Sequence, residues 1–292
     1  MNGVVLFDGI AYGMLLFLLA AGLSVTMGLM NFVNLAHGVF AMLGGYAAWM
    51  VMQYTNWGFM VAMLTAFLLA AAAGAVLERL LFRRLYGGHA LDQVLLSIGV
   101  VFMGVAVATF AFGPSFKTIA LPSVLQGQMQ LAGMEVGRYR AFLIIIGAIL
   151  SLALWLGIVR TRFGARLRAA VDQPQVTAAM GINVSRLFFW TFALGSGLAG
   201  LGGGLGLELL GMEPGYALKY MVYFLLVVCV GGAGTLLGPF VAALLVGVVD
   251  MLGKYYVPDL GGFLIYLIMV LVLLWRPHGL IRPSAAVLQG SA

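Results

Sequence analysis

The chain has 292 residues, of which 63% are hydrophobic and only 8% are charged, and its mean hydropathy is +1.10. That composition leaves too little polar side chain to cover a soluble globule of this size, so we interpret the chain as an integral membrane protein. The net charge of +6 does not indicate nucleic-acid binding, because the basic residues lie at the ends of apolar runs and form no basic aromatic cluster.

A series of apolar segments follows along the chain, and most of them reach the ~20 residues that a helix needs to cross a bilayer. They contain Gly and Pro and do not alternate apolar with polar residues, which favours packed helices over a membrane β-barrel. No basic residue precedes the first run, so no removable signal peptide is expected. We predict an all-α polytopic membrane helix bundle of about eight or nine transmembrane helices, near residues 10–30, 34–53, 59–81, 92–113, 141–159, 186–207, 220–231, 238–252 and 262–275.

Nothing in the sequence indicates a separate catalytic module. The longest less apolar segments are 114–140 and 160–185, so residues 1–292 are expected to form a single transmembrane domain. Dispersed histidines without nearby Cys or paired carboxylates predict no metal site, and no Ser, His and Asp combination indicates hydrolysis. We therefore predict a protein that is not an enzyme. Its one cysteine, Cys229, lies in an apolar run where we expect it to be buried, and it excludes an internal disulfide.

Clusters of arginine predict the orientation, because basic residues concentrate on the cytoplasmic side of membrane proteins. By this rule the C-terminus and the loop 160–185 are cytoplasmic, whereas the N-terminus and the stretches 114–140, 208–219 and 251–260 lie outside. Parity then requires a tight inner turn at "GGAGTLLGP", residues 231–239. The clusters are Arg79, Arg83 and Arg84; Arg160, Arg162, Arg166 and Arg168; and Arg276 and Arg282.

The stretch "NFVNLAHG", residues 31–38, places polar side chains inside an apolar region. Asn31, Asn34 and His37 are spaced by three, which predicts that they share a helical face, and polar groups at this depth should avoid lipid. Because Asn and neutral His can both donate and accept hydrogen bonds, we interpret them as candidates to line the path of a zwitterionic substrate. The alternative is that they only bridge adjacent helices or cap the turn between the first two spans.

The segment "RTRFGARLRAAVDQPQVTAAMGINVSRL", residues 160–187, predicts a short helix outside the membrane. Pro174 suits the first helical position, and Gly181 can supply a left-handed C-terminal cap. A helix this short is not stable alone, so it should rest on a partner protein or, as an arginine-anchored interfacial helix, on the inner membrane face.

Two glycine-containing motifs are interpreted structurally. "GVVDMLGKY", residues 247–255, departs from the phosphate-loop spacing, and "GSGLAG", residues 195–200, follows an apolar helix rather than a strand. Ser196, Gly200 and Gly204 recur at four-residue steps, a pattern typical of close contacts between membrane helices.

Three stretches make the chain resemble the branched-chain amino acid ABC transporter permeases, specifically the LivH type: "GLSVTMGLMNFVNLAHGVFAMLGGY" (22–46), "RFGARLRAAVDQPQVTAAMGINVSRL" (162–187) and "GGAGTLLGPFVAALL" (231–245). The resemblance runs over about residues 8–284. It implies an importer permease fold in a bacterial inner membrane, with two unlike permeases, two cytoplasmic ATPases and a periplasmic binding protein. ATP would be bound by the partner ATPases, so no cofactor is expected on this chain.

The resemblance also implies a role for the cytoplasmic loop. In importers of this kind the loop corresponding to 164–181 carries a coupling helix that docks into a groove on the ATPase. The residues assigned to coupling on this basis are Arg166, Arg168, Pro174, Val176, Ala178, Ala179, Met180 and Gly181.

The expected function is therefore a permease subunit that forms half of the translocation path of an importer for branched-chain or related amino acids. One alternative is a self-sufficient secondary transporter or channel, which should carry mid-membrane carboxylates where this chain has only Asp250 near a predicted helix end. Another is a permease of the same family for urea, amides or aromatic acids. Glu208 and Glu213, in the outer loops, could meet substrate or binding protein or simply be solvated.

Overall fold

The computed structural model describes residues 2–30, 32, 34–86, 88–131, 133–232, 234–277 and 279–281. Its helices are α1 (Asn2–Leu29), α2 (His37–Tyr54), α3 (Phe59–Leu80), α4 (Ala90–Phe112), α5 (Arg138–Val159), α6 (Arg162–Asp172), α7 (Pro174–Ala179), α8 (Val184–Leu205), α9 (Tyr216–Gly231), α10 (Leu237–Tyr256) and α11 (Gly261–Trp275). Two short antiparallel strands, β1 (Gln128–Leu131) and β2 (Met134–Gly137), form a hairpin before α5.

Each predicted apolar segment coincides with one of these helices, which confirms the all-α membrane bundle. Within the described residues, 7 helical segments are long and apolar enough to cross a bilayer, and α9 is a shorter apolar helix. The boundaries differ at some ends: α1 begins at Asn2 instead of near residue 10, and α9 begins at Tyr216 instead of near residue 220. The small hairpin within 114–140 was not predicted.

Two helices occupy the centre of the bundle. α1 is buried along most of its length, as expected for a helix that is hydrophobic all round, and α8 packs against α1, α2 and α3. The helices α4, α5 and α11 lie at the periphery and present large apolar side chains outward, such as Phe102, Ile149 and Leu271. A peripheral face of this kind suits contact with lipid.

Cys229 corrects one expectation about burial. It lies in α9 and is exposed, although the sequence predicted that it would be buried. Beyond Lys219 in its first turn, α9 carries no charged residue. Lipid is as apolar as a protein core, so hydrophobicity does not tell which side of this part of α9 faces outward.

Very close backbone approach joins α8 to α3. A Cβ atom at Gly200 would lie 2.3 Å from the Cβ of Ala70 and 2.6 Å from the carbonyl oxygen of Ala66. The absence of a side chain at Gly200 therefore lets the two helices touch. Ser196, which is buried, and Gly204 lie on the same side of α8 against α3.

The end of the bundle that carries the start of α1 is covered by loops. The segment before β1 is joined to the loop between α8 and α9 by two backbone hydrogen bonds of 2.8 Å between Lys117 and Met212. The guanidinium of Arg140 lies 2.5 Å from the carboxylate of Asp8, which ties the start of α5 to the start of α1. These links hold the loops on one face, which the arginine pattern predicts to be the outer one.

Candidate functional site

The described residues between α1 and α2, which are 30, 32 and 34–36, are not helical, and α2 begins inside the bundle. After α1 ends at Leu29, the backbone N–H groups of Met30 and Phe32 both donate to the carbonyl oxygen of Thr26, at 3.1 and 3.2 Å. The ring of Phe32 is fully buried and packs edge-on against Phe82 at 5.4 Å between centroids. This packing anchors the break at the end of the bundle where α3 also ends.

His37 opens α2 deep inside the protein. Its Nε2 lies 2.8 Å from the carbonyl oxygen of Leu19, and only 2% of the residue is exposed. A carbonyl oxygen only accepts, so Nε2 carries the proton and donates. Because Leu19 lies ten residues before the end of α1, the chain has climbed about 15 Å back along α1, at 1.5 Å per residue.

Gly22 explains how the imidazole fits between helices. A Cβ atom there would lie 2.2 Å from the carbonyl oxygen of Gly195 and 2.7 Å from Cε1 of His37. Because position 22 has no side chain, both the backbone of α8 and the imidazole of His37 can lie against α1 there. The ring of Phe224, from α9, closes the other side of His37 edge-on at 6.2 Å.

Asn34 is the most unusual polar group of this stretch. The residue is 1% exposed, and neither its Nδ2 nor its Oδ1 has a hydrogen-bond partner in the described part of the chain. Leaving a buried amide unpaired costs about 1–3 kcal/mol per group. The side chain therefore has unmet capacity both to donate and to accept.

The predicted common helical face of the three polar residues is wrong. Asn34 lies in the non-helical connection, and His37 is the first residue of α2, so a three-residue step no longer brings side chains together. The prediction assumed one continuous helix through these residues. Instead α1 ends at Leu29, and α2 begins at His37, level with the middle of α1. Asn31 lies outside the described residues.

On the face where α5 ends and α8 begins, α6 and α7 form a small unit outside the main bundle. Thr161 caps α6, since its Oγ1 accepts from the N–H of Gly164 at 3.2 Å. Leu167 and Ala170 are buried against Leu187 at the start of α8. The guanidinium of Arg168 donates to the carbonyl of Ile158, so this arginine fastens α6 to the end of α5. Arg166 is exposed.

α7 has the start and end that the sequence predicted. Pro174 occupies its first turn, and Gly181 follows with a positive φ of 81° while its N–H donates to the carbonyl of Ala178. The buried side of α7 is held by Thr177, whose hydroxyl donates to the carbonyl of Ala169 at 2.9 Å.

The other side of α7 is open and apolar. Val176 is 53% exposed and Met180, just after the helix, is 77% exposed. Ala178 and Ala179 are exposed as well. The sequence-predicted coupling residues from Pro174 to Gly181 are thus exposed on α7 and its C-terminal end. Arg166 is exposed on α6, and Arg168 is engaged with the end of α5.

Sequence reasoning missed a polar cluster in α10. The Asp250 carboxylate is fully buried within this membrane helix, and its Oδ2 lies 2.6 Å from Nζ of Lys254. The Lys254 ammonium also stands over the ring of Tyr12, 5.6 Å from its centroid. The signal in the sequence was the four-residue spacing of Asp250 and Lys254, which pairs opposite charges on a helix.

Glu208 follows α8 at the covered end of the bundle. It lines a cavity of about 370 Å³ together with Arg140 and residues of the hairpin region. Partial burial raises the pKa of the Glu208 carboxyl, and the nearby Arg140 guanidinium opposes that shift. Glu213 is engaged differently, since its carboxylate accepts from Lys219 at 3.0 Å.

The family assignment follows from sequence comparison. Residues 5–273 match the family model described as branched-chain amino acid transport system / permease component. The chain belongs to this family. Membership agrees with the predicted LivH-type resemblance and covers nearly all of the helical bundle.

Several curated relatives of this permease align over almost its whole length. It is 27% identical over 296 residues to the high-affinity branched-chain amino acid transport system permease protein BraD of Pseudomonas aeruginosa, with 96% of this chain and 95% of the relative covered. It is 26% identical over 299 residues to the corresponding protein LivH of Escherichia coli, with the same coverage. LivM of Escherichia coli is 25% identical over 309 residues, covering 96% of this chain but 71% of LivM.

A solved structure has a similar overall fold. A chain of PsaBC from Streptococcus pneumoniae, solved in complex with Fab, superposes with a TM-score of 0.52 at 14% identity, covering 98% of this permease and 94% of that chain. This similarity concerns the fold alone. It agrees with the predicted all-α helix bundle.

These comparisons place the permease in a transport system of the inner membrane. The named relatives are transport permease proteins rather than enzymes, in agreement with the prediction. Together with the 7 long apolar helical segments found among the described residues, they support a multi-pass inner-membrane permease of an ABC transporter.

Proposed function

We propose that this permease forms half of the translocation path of an ATP-driven importer for branched-chain or related amino acids. In this proposal it binds no nucleotide itself and receives energy from two cytoplasmic ATPases through α6 and α7. The observation that carries the proposal is the open apolar surface of α7, formed by Val176, Ala179 and Met180.

The construction of α7 suits docking against a protein. A helix of 6 residues is not stable by itself, and here Thr177 and the packing of α6 hold it in place. A helix that only lies on a membrane typically exposes large anchors such as Trp, Phe or Leu beside basic residues. α7 instead exposes small and flexible apolar side chains beside the uncharged Gln175, and it carries no charge. Such a surface suits a groove-filling contact.

The polar stretch before α2 supplies the proposed path. Asn34 has a free donor and acceptor, and His37 holds a fixed tautomer beside a break in the backbone. Such groups can meet the ammonium and carboxylate of an amino acid without a fixed charge that would hold it too tightly. Asn31 is included in the proposal from its position in the sequence.

The partners are proposed by analogy with the relatives. The match to LivM as well as LivH supports a pair of related permeases, which we propose to be a heterodimer. A periplasmic binding protein would deliver the substrate to the loop-covered face and set the selectivity. Urea, amides and aromatic acids are the alternative substrates to test on that protein.

Reconstitution tests the energy source. The purified permease alone should hydrolyse no ATP, whereas proteoliposomes with the sister permease, two ATPases and the binding protein should show substrate-stimulated hydrolysis and uptake. Uptake by this chain alone, driven by a proton or sodium gradient, would overturn the proposal in favour of a secondary transporter. The buried Asp250 carboxylate is the observation that keeps this second candidate in view.

Orientation is tested separately by thiol labelling. In a Cys229→Ser background, a single cysteine at Thr161 should react with an impermeant reagent only after the inner face is opened. A cysteine at Gln128, on the exposed strand β1, should react from outside. Labelling of the Thr161 position from outside would invert the topology.

A further inference from the structure

A cavity of about 360 Å³ lies between the end of α3 and the start of α8. It belongs neither to the polar stretch before α2 nor to the surface of α7. Most of its lining residues lie within α3 and α8 themselves, so it sits at the level where these spans leave the bilayer. Its polar lining includes Arg79, Arg83, Asn183, Ser185 and Arg186.

The cavity carries a net positive charge. Arg79, Arg83 and Arg186 are exposed, and in the described part of the chain none of them forms a salt bridge or donates a side-chain hydrogen bond. The one carboxylate in the lining, Glu78, is buried and accepts from the hydroxyl of Tyr86 at 3.0 Å. The charge of Glu78 partly offsets those of Arg79 and Arg83, and three guanidiniums against one carboxylate still leave a net positive charge that suits an anion.

Tyr86 keeps that carboxylate turned inward at physiological pH. A phenol is protonated at physiological pH, and burial, followed by the charge of Glu78, raises the pKa of Tyr86 further. The hydroxyl can therefore donate to Glu78, as the 3.0 Å contact shows. The arginines remain available to a ligand from outside the protein.

The cavity also has an apolar wall that continues into the membrane. Trp190 lines it and is exposed, and Leu194, one turn further along α8, is exposed on the same side. Tryptophan is enriched where a membrane protein crosses from headgroups to acyl chains. A ligand that fits both parts has an anionic head and a hydrocarbon tail.

We infer that this cavity binds the phosphate headgroup of an anionic phospholipid from the inner leaflet, with an acyl chain lying along Trp190 and Leu194. Guanidinium groups pair with phosphate through charge-assisted hydrogen bonds, and basic pockets between spans on the cytoplasmic side suit such headgroups. Asn183 and Ser185 add polar groups beside the arginines. The choice of leaflet rests on the proposed orientation, whereas the binding itself requires neither ATPase nor transport.

Lipid binding to the full-length chain tests the inference. Native mass spectrometry of the detergent-purified protein would compare dioleoylphosphatidylglycerol with dioleoylphosphatidylcholine across lipid concentrations. Arg83→Gln should weaken phosphatidylglycerol binding about fivefold, the equivalent of about 1 kcal/mol for one surface arginine, and leave phosphatidylcholine binding unchanged. Arg84→Gln is the matched control, because Arg84 is the exposed neighbour that does not line the cavity.

The outcomes separate the possible sources of the anion. An Arg83→Gln loss without an Arg84→Gln loss supports the lipid site, and a similar loss in Arg186→Gln supports it further. Equal loss in the Arg83 and Arg84 variants, or no loss in either, would refute it. Complete displacement of the lipid by inorganic phosphate would show a free-anion site, and displacement by added ATPase would show a protein interface; either result overturns the inference.

Discussion

Replacing Gly200 by Ala should destabilise the bundle, because α8 and α3 touch at this position. The new Cβ would lie 2.3 Å from the Cβ of Ala70 and 2.6 Å from the carbonyl oxygen of Ala66, whereas ordinary contacts begin at 3.4 Å. Part of the obstruction is backbone, so a rotamer change cannot relieve it. The helices have to separate by about 1 Å, and overpacking of this kind costs about 1–3 kcal/mol.

Two other glycines make this a graded experiment. At Gly204 the nearest atoms to a new Cβ lie 3.2 Å away, so Gly204→Ala should have a small effect, and at Gly157 nothing lies within 4 Å. The apparent melting temperature of the detergent-purified permease, read by loss of the monodisperse chromatographic peak, should be lowest for Gly200→Ala and unchanged for Gly157→Ala. If the Gly200 and Gly157 variants melt together, the close approach of α3 and α8 does not constrain the bundle.

Further predictions address coupling, the path and the rival function. Ala179→Asp should abolish substrate-stimulated ATP hydrolysis without reducing membrane insertion, because a charge in a desolvated contact costs about a few kcal/mol. The control Ala120→Asp, at an exposed position on the opposite side of the membrane, should keep substrate-stimulated hydrolysis. Normal coupling in Ala179→Asp would show that α7 is only an anchor. Asn34→Leu and His37→Leu should lower uptake per assembled complex while the affinity of the binding protein stays unchanged. If these side chains only join helices, each variant should instead lose ~0.6–2 kcal/mol of stability. Transport should then fall only in proportion to the amount of intact complex. Asp250→Asn should leave ATP-dependent uptake in place. If this variant abolishes uptake, and uptake by the unmodified protein has a proton-driven component, the secondary transporter is favoured.

The helical spans could be predicted because a membrane helix is recorded in the sequence as a long apolar run, independent of its neighbours. The same logic predicted α7, since Pro174 and Gly181 act through local backbone geometry. These features need no knowledge of tertiary contacts. The short hairpin at 128–137 escaped prediction because it lies between spans, where no run of apolar residues marks it.

Burial inside the bundle could not be predicted in the same way. Lipid and protein core select the same apolar residues, so the exposed side of Cys229 and the buried side of Asp250 are decided by how the helices are arranged. The polar stretch failed for a related reason. Its three-residue spacing indicated a helix, but tertiary packing of Phe32 and His37 holds an irregular connection there.

The central helix α8 connects the proposed coupling surface with the proposed path. Its first turns pack through Leu187 on α6, and eight residues later the carbonyl of Gly195 meets Gly22, beside His37. This spacing corresponds to about 12 Å of uninterrupted helix at 1.5 Å per residue. A displacement of α6 and α7 by an ATPase would act on α8 at Leu187 and on the end of α5 through Arg168. The part that reaches α8 can be carried along this helix to Gly195. Because a Cβ cannot be accommodated at Gly22, α1 and α8 are in close contact there, and the same glycine borders the imidazole of His37. We therefore expect movement of α8 at Gly195 to change the space available to His37, whose Nε2 donates to the carbonyl of Leu19.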